Sequence, residues 1–200
     1  VTEFLRITEA KEHDRKFLYH IKLPANSFLV FDRAYNLYGQ FAKWTSQKIW
    51  FVTRMKANAV YHVTKVITDN TRKKNAKGIL KEQYITIGYK ADGEEQRLKL
   101  RRITFRADDG KMFIFISNNF SLPAQQIALI YKYRWMIELL FKQIKQNFPI
   151  RYFWGESENA IKIQVYCVLI AQLLMVVIRK KAETKKSFAN MITVIRLHLM

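Results

Sequence analysis

The chain has 200 residues, half of them hydrophobic, which is enough for a sizeable packed core and too apolar for a disordered polymer. Its 35 Lys and Arg against 16 Asp and Glu leave a formal charge of +19, an excess that calls for a polyanionic partner, nucleic acid ahead of an anionic membrane surface. One cysteine, Cys167, excludes an intramolecular disulfide framework and any cysteine-rich zinc site.

In chain order, residues 1–10 carry Val1, Phe4, Leu5 and Ile7 among polar neighbours and predict a strand. A helix is expected over 13–21, with Asp14 near its start and Pro24 beyond its end. Residues 27–31 form a continuous apolar run, the mark of a strand buried on both faces, and Asp32 follows it directly. Helical spacing covers 35–46, and 49–53 is a second buried strand trailed by Arg54 and Lys56. The character then changes. Four strands are predicted over 60–67, 82–89, 96–105 and 112–117, separated by turn signals at Asp69-Asn70, Lys77-Gly78, Asp92-Gly93 and Asp109-Gly110. This block reads as an antiparallel insertion. It is basic: Arg72, Lys73, Lys74 and Lys77 share one loop, and Arg97, Lys99 and Arg101 share one strand face, either solvated or turned to DNA.

After Pro123 one long helix is expected to about Asn147, stopped by Pro149, and a second runs over 158–181 with Ser157 as its N-cap. Cys167 reads as a small core residue of that second helix. Its apolar run, 165–178, falls short of the roughly 20 residues of a membrane span, so no membrane partner is expected. The chain opens on Val1 without a Met or a signal peptide and reads as a piece of a longer protein.

The strongest local pattern is on the helix after Pro123. Tyr131, Arg134, Glu138, Lys142 and Lys145 recur at helical spacing and form one narrow polar stripe opposite apolar Leu129, Ile130, Met136, Ile137, Leu140 and Ile144. Taken alone, such a stripe is equally a solvated face with ion pairs at i,i+4. Asp32 adds weight, because α/β sheets place active-site groups at the ends of buried strands, although a turn or N-cap role would explain it as well. Two carboxylates beside a basic surface suit divalent-metal chemistry at a phosphodiester. Mg²⁺, with Mn²⁺ as a substitute, fits an oxygen-only donor set.

The spacing Tyr131-(2)-Arg134-(3)-Glu138-(6)-Lys145 resembles the Y-(2)-R-(3)-E-(6)-K signature of DDE transposases of the insertion-sequence-four type. The stretch FDRAYNLYGQF resembles that family's second-aspartate region, and the likeness spans nearly the whole chain. The resemblance implies an α/β, ribonuclease-H-like fold: residues 1–54 as the opening segment of the core, 55–118 as a β insertion, and 119–200 as the helical remainder of the core. It implies Asp32 and Glu138 as catalytic, metal-binding carboxylates and Tyr131, Arg134 and Lys145 as DNA contacts. Lys142, Arg54 and Lys56 are weaker candidates for phosphate contact. The implied partners are double-stranded DNA, both transposon ends and target, and a second copy of the chain in the DNA complex, in a bacterial cytoplasm at the nucleoid. The family uses three carboxylates, and the first is expected upstream of Val1, since Asp14 reads as a helix-start residue. On that expectation the chain alone would be inactive. Competing functions are a non-enzymatic DNA-binding remnant and a basic RNA-binding protein.

The remaining side chains have plainer readings. His13, His20, His62 and His198 share no metal-ligand spacing. Trp44, Trp50, Trp135 and Trp154 are expected in the core before any base-stacking role. Arg179, Lys180, Lys181, Lys185 and Lys186 read as a solvated helix end.

Overall fold

A computed structural model describes residues 14–72, 77–148, 150 and 152–199. Contacts divide the chain into two compact units, one running Glu9–Arg134 and the other containing Trp135–Met200. The strand expected over 1–10 lies outside the described residues, as do His13, Lys73, Lys74 and Pro149.

The first unit is built on one six-stranded sheet. The helix expected over 13–21 is a 3₁₀ helix, Asp14–His20. The strands are β1 (Phe28–Phe31), β2 (Trp50–Arg54), β3 (His62–Asp69), β4 (Gly78–Ala91), β5 (Glu94–Arg106) and β6 (Met112–Ser117), in the order β1-β2-β6-β5-β4-β3. β1 and β2 are parallel and joined through helix α1 (Tyr38–Ser46), while β2 through β3 pair antiparallel along the sheet. The expected block of four strands therefore continues the sheet begun by the two buried strands. β4 and β5 close on Asp92-Gly93, whose φ values of 52° and 83° are those a two-residue hairpin turn of this hand requires.

Alternation along the strands makes two cores. Phe51, Ile85, Ile87, Leu98, Leu100 and Ile116 face α1, whose Phe41 and Trp44 are fully buried among them. The aromatic rings interlock: Phe41 and Phe51 have centroids 4.4 Å apart, and Phe31 packs on Phe41, Trp44 and Phe51. Each such ring removed from water contributes about 1.5–3 kcal/mol. The next residue along each strand points the other way. Val52, Ile103 and Phe115 meet Ala124, Ile127 and Tyr131 of helix α2 (Ala124–Lys132). The sheet is thus covered by α1 on one face and α2 on the other.

The second unit is helical. It holds α3 (Trp135–Asn147), α4 (Glu158–Lys181) and α5 (Phe188–Leu199), with Met175, Phe188, Met191 and Ile192 at its core. The Ser157 hydroxyl accepts from the Ala160 amide at 3.2 Å, so the predicted N-cap of α4 is present. Two expectations fail here. Cys167 is exposed, because α4 turns Val168, Gln172 and Met175 inward instead. Trp135 and Trp154 are 53% and 89% exposed, leaving Trp44 as the fully buried tryptophan. Helix α4 coincides with the helix expected over 158–181, and its 24 residues are long and apolar enough, by length and composition alone, to cross a membrane.

Candidate active site

Asp32 follows the last residue of β1. Its Oδ1 accepts from the Ala34 amide at 3.0 Å and caps a short 3₁₀ turn, Arg33–Tyr35. It is a capping residue, and it stands at the tip of a parallel strand pair. It is half-buried, and Oδ2 has no hydrogen-bond partner among the described residues, so one oxygen is available to a ligand.

The turn is fastened to the neighbouring strand by a side chain the sequence did not mark. Asn36 is buried; its Nδ2 donates to the Arg54 carbonyl at 3.0 Å and its Oδ1 accepts from the Thr53 hydroxyl at 3.3 Å. This fixes the Asp32 turn against the end of β2. Arg54, half-buried, extends its guanidinium over the Phe113 ring, 5.2 Å from the centroid. Lys56 is half-buried two residues further on.

Tyr131 comes to the same end of the sheet from α2. It is 8% exposed, packs on Phe115 with centroids 4.9 Å apart, and carries the Arg134 guanidinium 5.7 Å above its ring. Burial holds its phenol above the usual tyrosine range; Arg134 and Arg54 offset part of that, and the nearby charge of Asp32 adds to it. Asp32, Arg54, Tyr131 and Arg134 thus share one electrostatic neighbourhood within the first unit.

The predicted single helix is two helices. After Lys132 the amides of Tyr133 and Arg134 bond the carbonyls of Ile130 and Tyr131, i to i−3, which tightens the last turn and ends α2. Tyr131 is accordingly on α2, while Glu138, Lys142 and Lys145 are on α3. The apolar face expected opposite the polar stripe is incomplete, since Leu129, Met136 and Ile137 are exposed and Ile144 is the buried residue of α3. The break has a chemical effect. Glu138 falls in the first turn of α3 and Lys145 in the last, so each charge complements the helix dipole. Glu138 is half-buried; Lys142 and Lys145 are exposed.

Two further side chains that motif reading did not single out as site residues hold the approach to α2. Arg101, expected on an open strand face, is 4% exposed: Nε donates to Glu82 Oε1 at 2.7 Å, and Nη1 donates to the carbonyls of Leu122 and Asn119. Asn119 Oδ1 accepts from the amides of Ser121 and Leu122, shaping the turn into α2. The paired asparagines after β6 were the available signal, since Asn side chains commonly imitate backbone in turns.

Carboxylate oxygens are the hard donors that Mg²⁺ or Mn²⁺ requires, and Asp32 supplies one. Among the described residues no group of three His, Cys, Asp or Glu side chains gathers to hold an ion.

A family model described as "Transposase DDE domain" matches residues 2–174. A Sinorhizobium fredii protein named as a transposase is 32% identical over 86% of this chain and 48% of its own length. A Geobacillus stearothermophilus protein, named as the transposase of insertion sequence element IS5377, is 28% identical over 76% of this chain and 39% of its own. A Synechocystis protein named for insertion sequence element IS4SA is 32% identical over 64% and 38%. The chain spans about half the length, or less, of these relatives. A model match over most of the chain, with an oxygen donor at a strand tip among cations and the Tyr-Arg-Glu-Lys spacing, makes this chain a member of the DDE-domain transposases.

Proposed function

We propose that the chain is the catalytic core of a transposase that cleaves phosphodiesters at transposon ends and joins them to target DNA, on a ribonuclease-H-like scaffold divided 1–54, 55–118 and 119–200. The observation that carries the reading is Asp32: half-buried at the end of a parallel strand, one oxygen engaged in its own turn and the other available, with Arg54, Tyr131 and Arg134 around it.

In this reading Asp32 and Glu138 are the carboxylates that would hold Mg²⁺, or Mn²⁺ in its place. A bound divalent ion would supply Lewis-acid activation of the attacking oxygen and stabilise the leaving one. The chain's own share is positioning and charge. Arg54, steadied over Phe113, and Lys56 hold phosphate near the strand tip. Tyr131 stays neutral and offers a hydroxyl, while Arg134 above its ring brings a fixed positive charge. Lys142 and Lys145, exposed on α3, contact the DNA backbone. The partners are duplex DNA and a second copy of the chain in the complex, acting at the nucleoid in the bacterial cytoplasm.

The test is Mn²⁺ binding, followed by electron paramagnetic resonance, together with duplex binding followed by fluorescence anisotropy. Asp32→Asn and Glu138→Gln are expected to weaken Mn²⁺ binding tenfold or more while duplex affinity stays within about threefold, since neither carboxylate provides phosphate attraction. Mn²⁺ binding equal to the wild type in both variants would remove the carboxylates from the metal site. Equal affinity for structured RNA and DNA duplex at matched salt would favour an RNA-binding role.

A further inference from the structure

Toward its Asp92-Gly93 turn the β4–β5 hairpin is covered on one face and bare on the other. On the covered face Ile85, Ile87, Leu98 and Leu100 are buried beneath α1, and the coverage reaches Tyr89, whose ring lies 3.8 Å from the position of a Cβ on Gly39. The opposite face is set by register. His62 pairs Thr86, which pairs Lys99; Lys65 pairs Tyr84, which pairs Arg101; Gly88 pairs Arg97. These residues share one side of the sheet, the side on which α2 packs further along. Arg101 is withdrawn into its buried pair with Glu82, but Lys65, Arg97, Lys99 and His62 are exposed.

Two other cations of this sheet have partners. Lys81 pairs with Asp69 at 2.9 Å, and Arg102 bonds Gln83 and Thr104 and lies over Tyr61. Lys65, Arg97 and Lys99 form no ion pair among the described residues. The acids on this face are Glu82, held by Arg101, and Glu95, opposite Lys90 at the hairpin tip. Gly88, beside Arg97 at the hairpin end of this face, leaves that end open, since a Cβ there would meet nothing within 4 Å. Sheet spacings put Lys99 and Arg97 roughly 20–25 Å from the strand tip that bears Asp32, less than the ~34 Å of one turn of duplex.

We propose that this bare face, carrying Lys65, Arg97 and Lys99, is a sequence-independent contact for the phosphate backbone of duplex DNA, distinct from the cluster around Asp32. It rests on the reading of the chain as a DNA-acting transposase. A sheet side with an open glycine beside Arg97 admits a backbone closely there, and three cations on long stems that form no ion pair among the described residues can follow phosphates without reading bases.

The experiment measures duplex binding by the 200-residue chain across a range of salt. The variant Lys65→Ala/Arg97→Ala/Lys99→Ala is expected to lower the salt slope by about two to three, since each phosphate contact contributes about 0.9, and to weaken binding on the order of tenfold. Gly88→Asp sets a carboxylate among the cations without a steric clash and should weaken binding severalfold with an unchanged unfolding curve. Lys180→Ala/Lys181→Ala/Lys185→Ala removes equal charge from the end of α4 and should leave the slope within about one of the wild type. A wild-type slope in both sheet variants overturns this contact while leaving the transposase reading intact. An equal loss in the α4 control assigns the effect to total charge and overturns it as well. If the wild-type chain shows no salt-dependent duplex binding, the contact and the reading beneath it fail together.

Discussion

Arg101 and Glu82 form an ion pair diagonally across β5 and β4, 2.7 Å from Nε to Oε1, and the same guanidinium reaches the carbonyls of Asn119 and Leu122 ahead of α2. One side chain thus neutralises a buried acid and ties the entrance of α2, the helix that carries Tyr131, to the sheet. Removing one member leaves a buried charge without compensation. Glu82→Ala should cost about 3–5 kcal/mol of unfolding free energy, read from urea titration. The paired change Arg101→Met/Glu82→Leu should recover much of that loss, and no recovery would show that the pair contributes through its loop contacts more than through its charge.

Asn118 splices the start of β2 to the end of α1. Its Oδ1 accepts from the Phe51 amide at 2.8 Å, and its Nδ2 donates to the Ile49 carbonyl at 2.9 Å and the Thr45 hydroxyl at 3.0 Å. Asn118→Ala leaves the Phe51 N–H buried without an acceptor, and a loss of about 1–3 kcal/mol is expected in the same titration.

The buried phenols give stability a dependence on alkaline pH. Burial raises Tyr38 and Tyr131 above their ordinary 10.0. Between that value and the raised one, the unfolded chain has lost a proton that the folded chain keeps. Stability contributed by the neutral phenols is therefore full below pH 10.0 and declines as pH rises through the raised values. Tyrosinate absorbance should show a late-titrating fraction that shrinks in Tyr131→Phe. Because the charge of Asp32 adds to the shift, Asp32→Asn should move the Tyr131 titration downward; an unmoved titration would separate the two residues.

In the helical unit, Ser157→Ala removes the side-chain acceptor for the Ala160 amide. A loss of about 0.5–2 kcal/mol is expected on thermal or urea unfolding, with the circular dichroism of the folded chain otherwise unchanged.

The sequence by itself determined much of this protein. Continuous apolar runs located β1 and β2, alternation and Asp-Gly turns located the antiparallel strands, and Ser157 located the start of α4, because each signal acts within a few residues of chain. The spacing from Tyr131 to Lys145 pointed to the family before any coordinates were needed. Only the tertiary structure decided where that helix divides: no Gly or Pro marks Tyr133-Arg134, and the change to i−3 bonding leaves no trace in composition. It likewise decided that Arg101 turns inward while Arg97 and Lys99, on the same strand face, stay in solvent. The physical reason is one of range. Secondary structure is written in local steric and hydrophobic periodicity, whereas the burial of a charge depends on a partner such as Glu82 or the carbonyl of Leu122, which reaches it only when distant segments of the chain pack together.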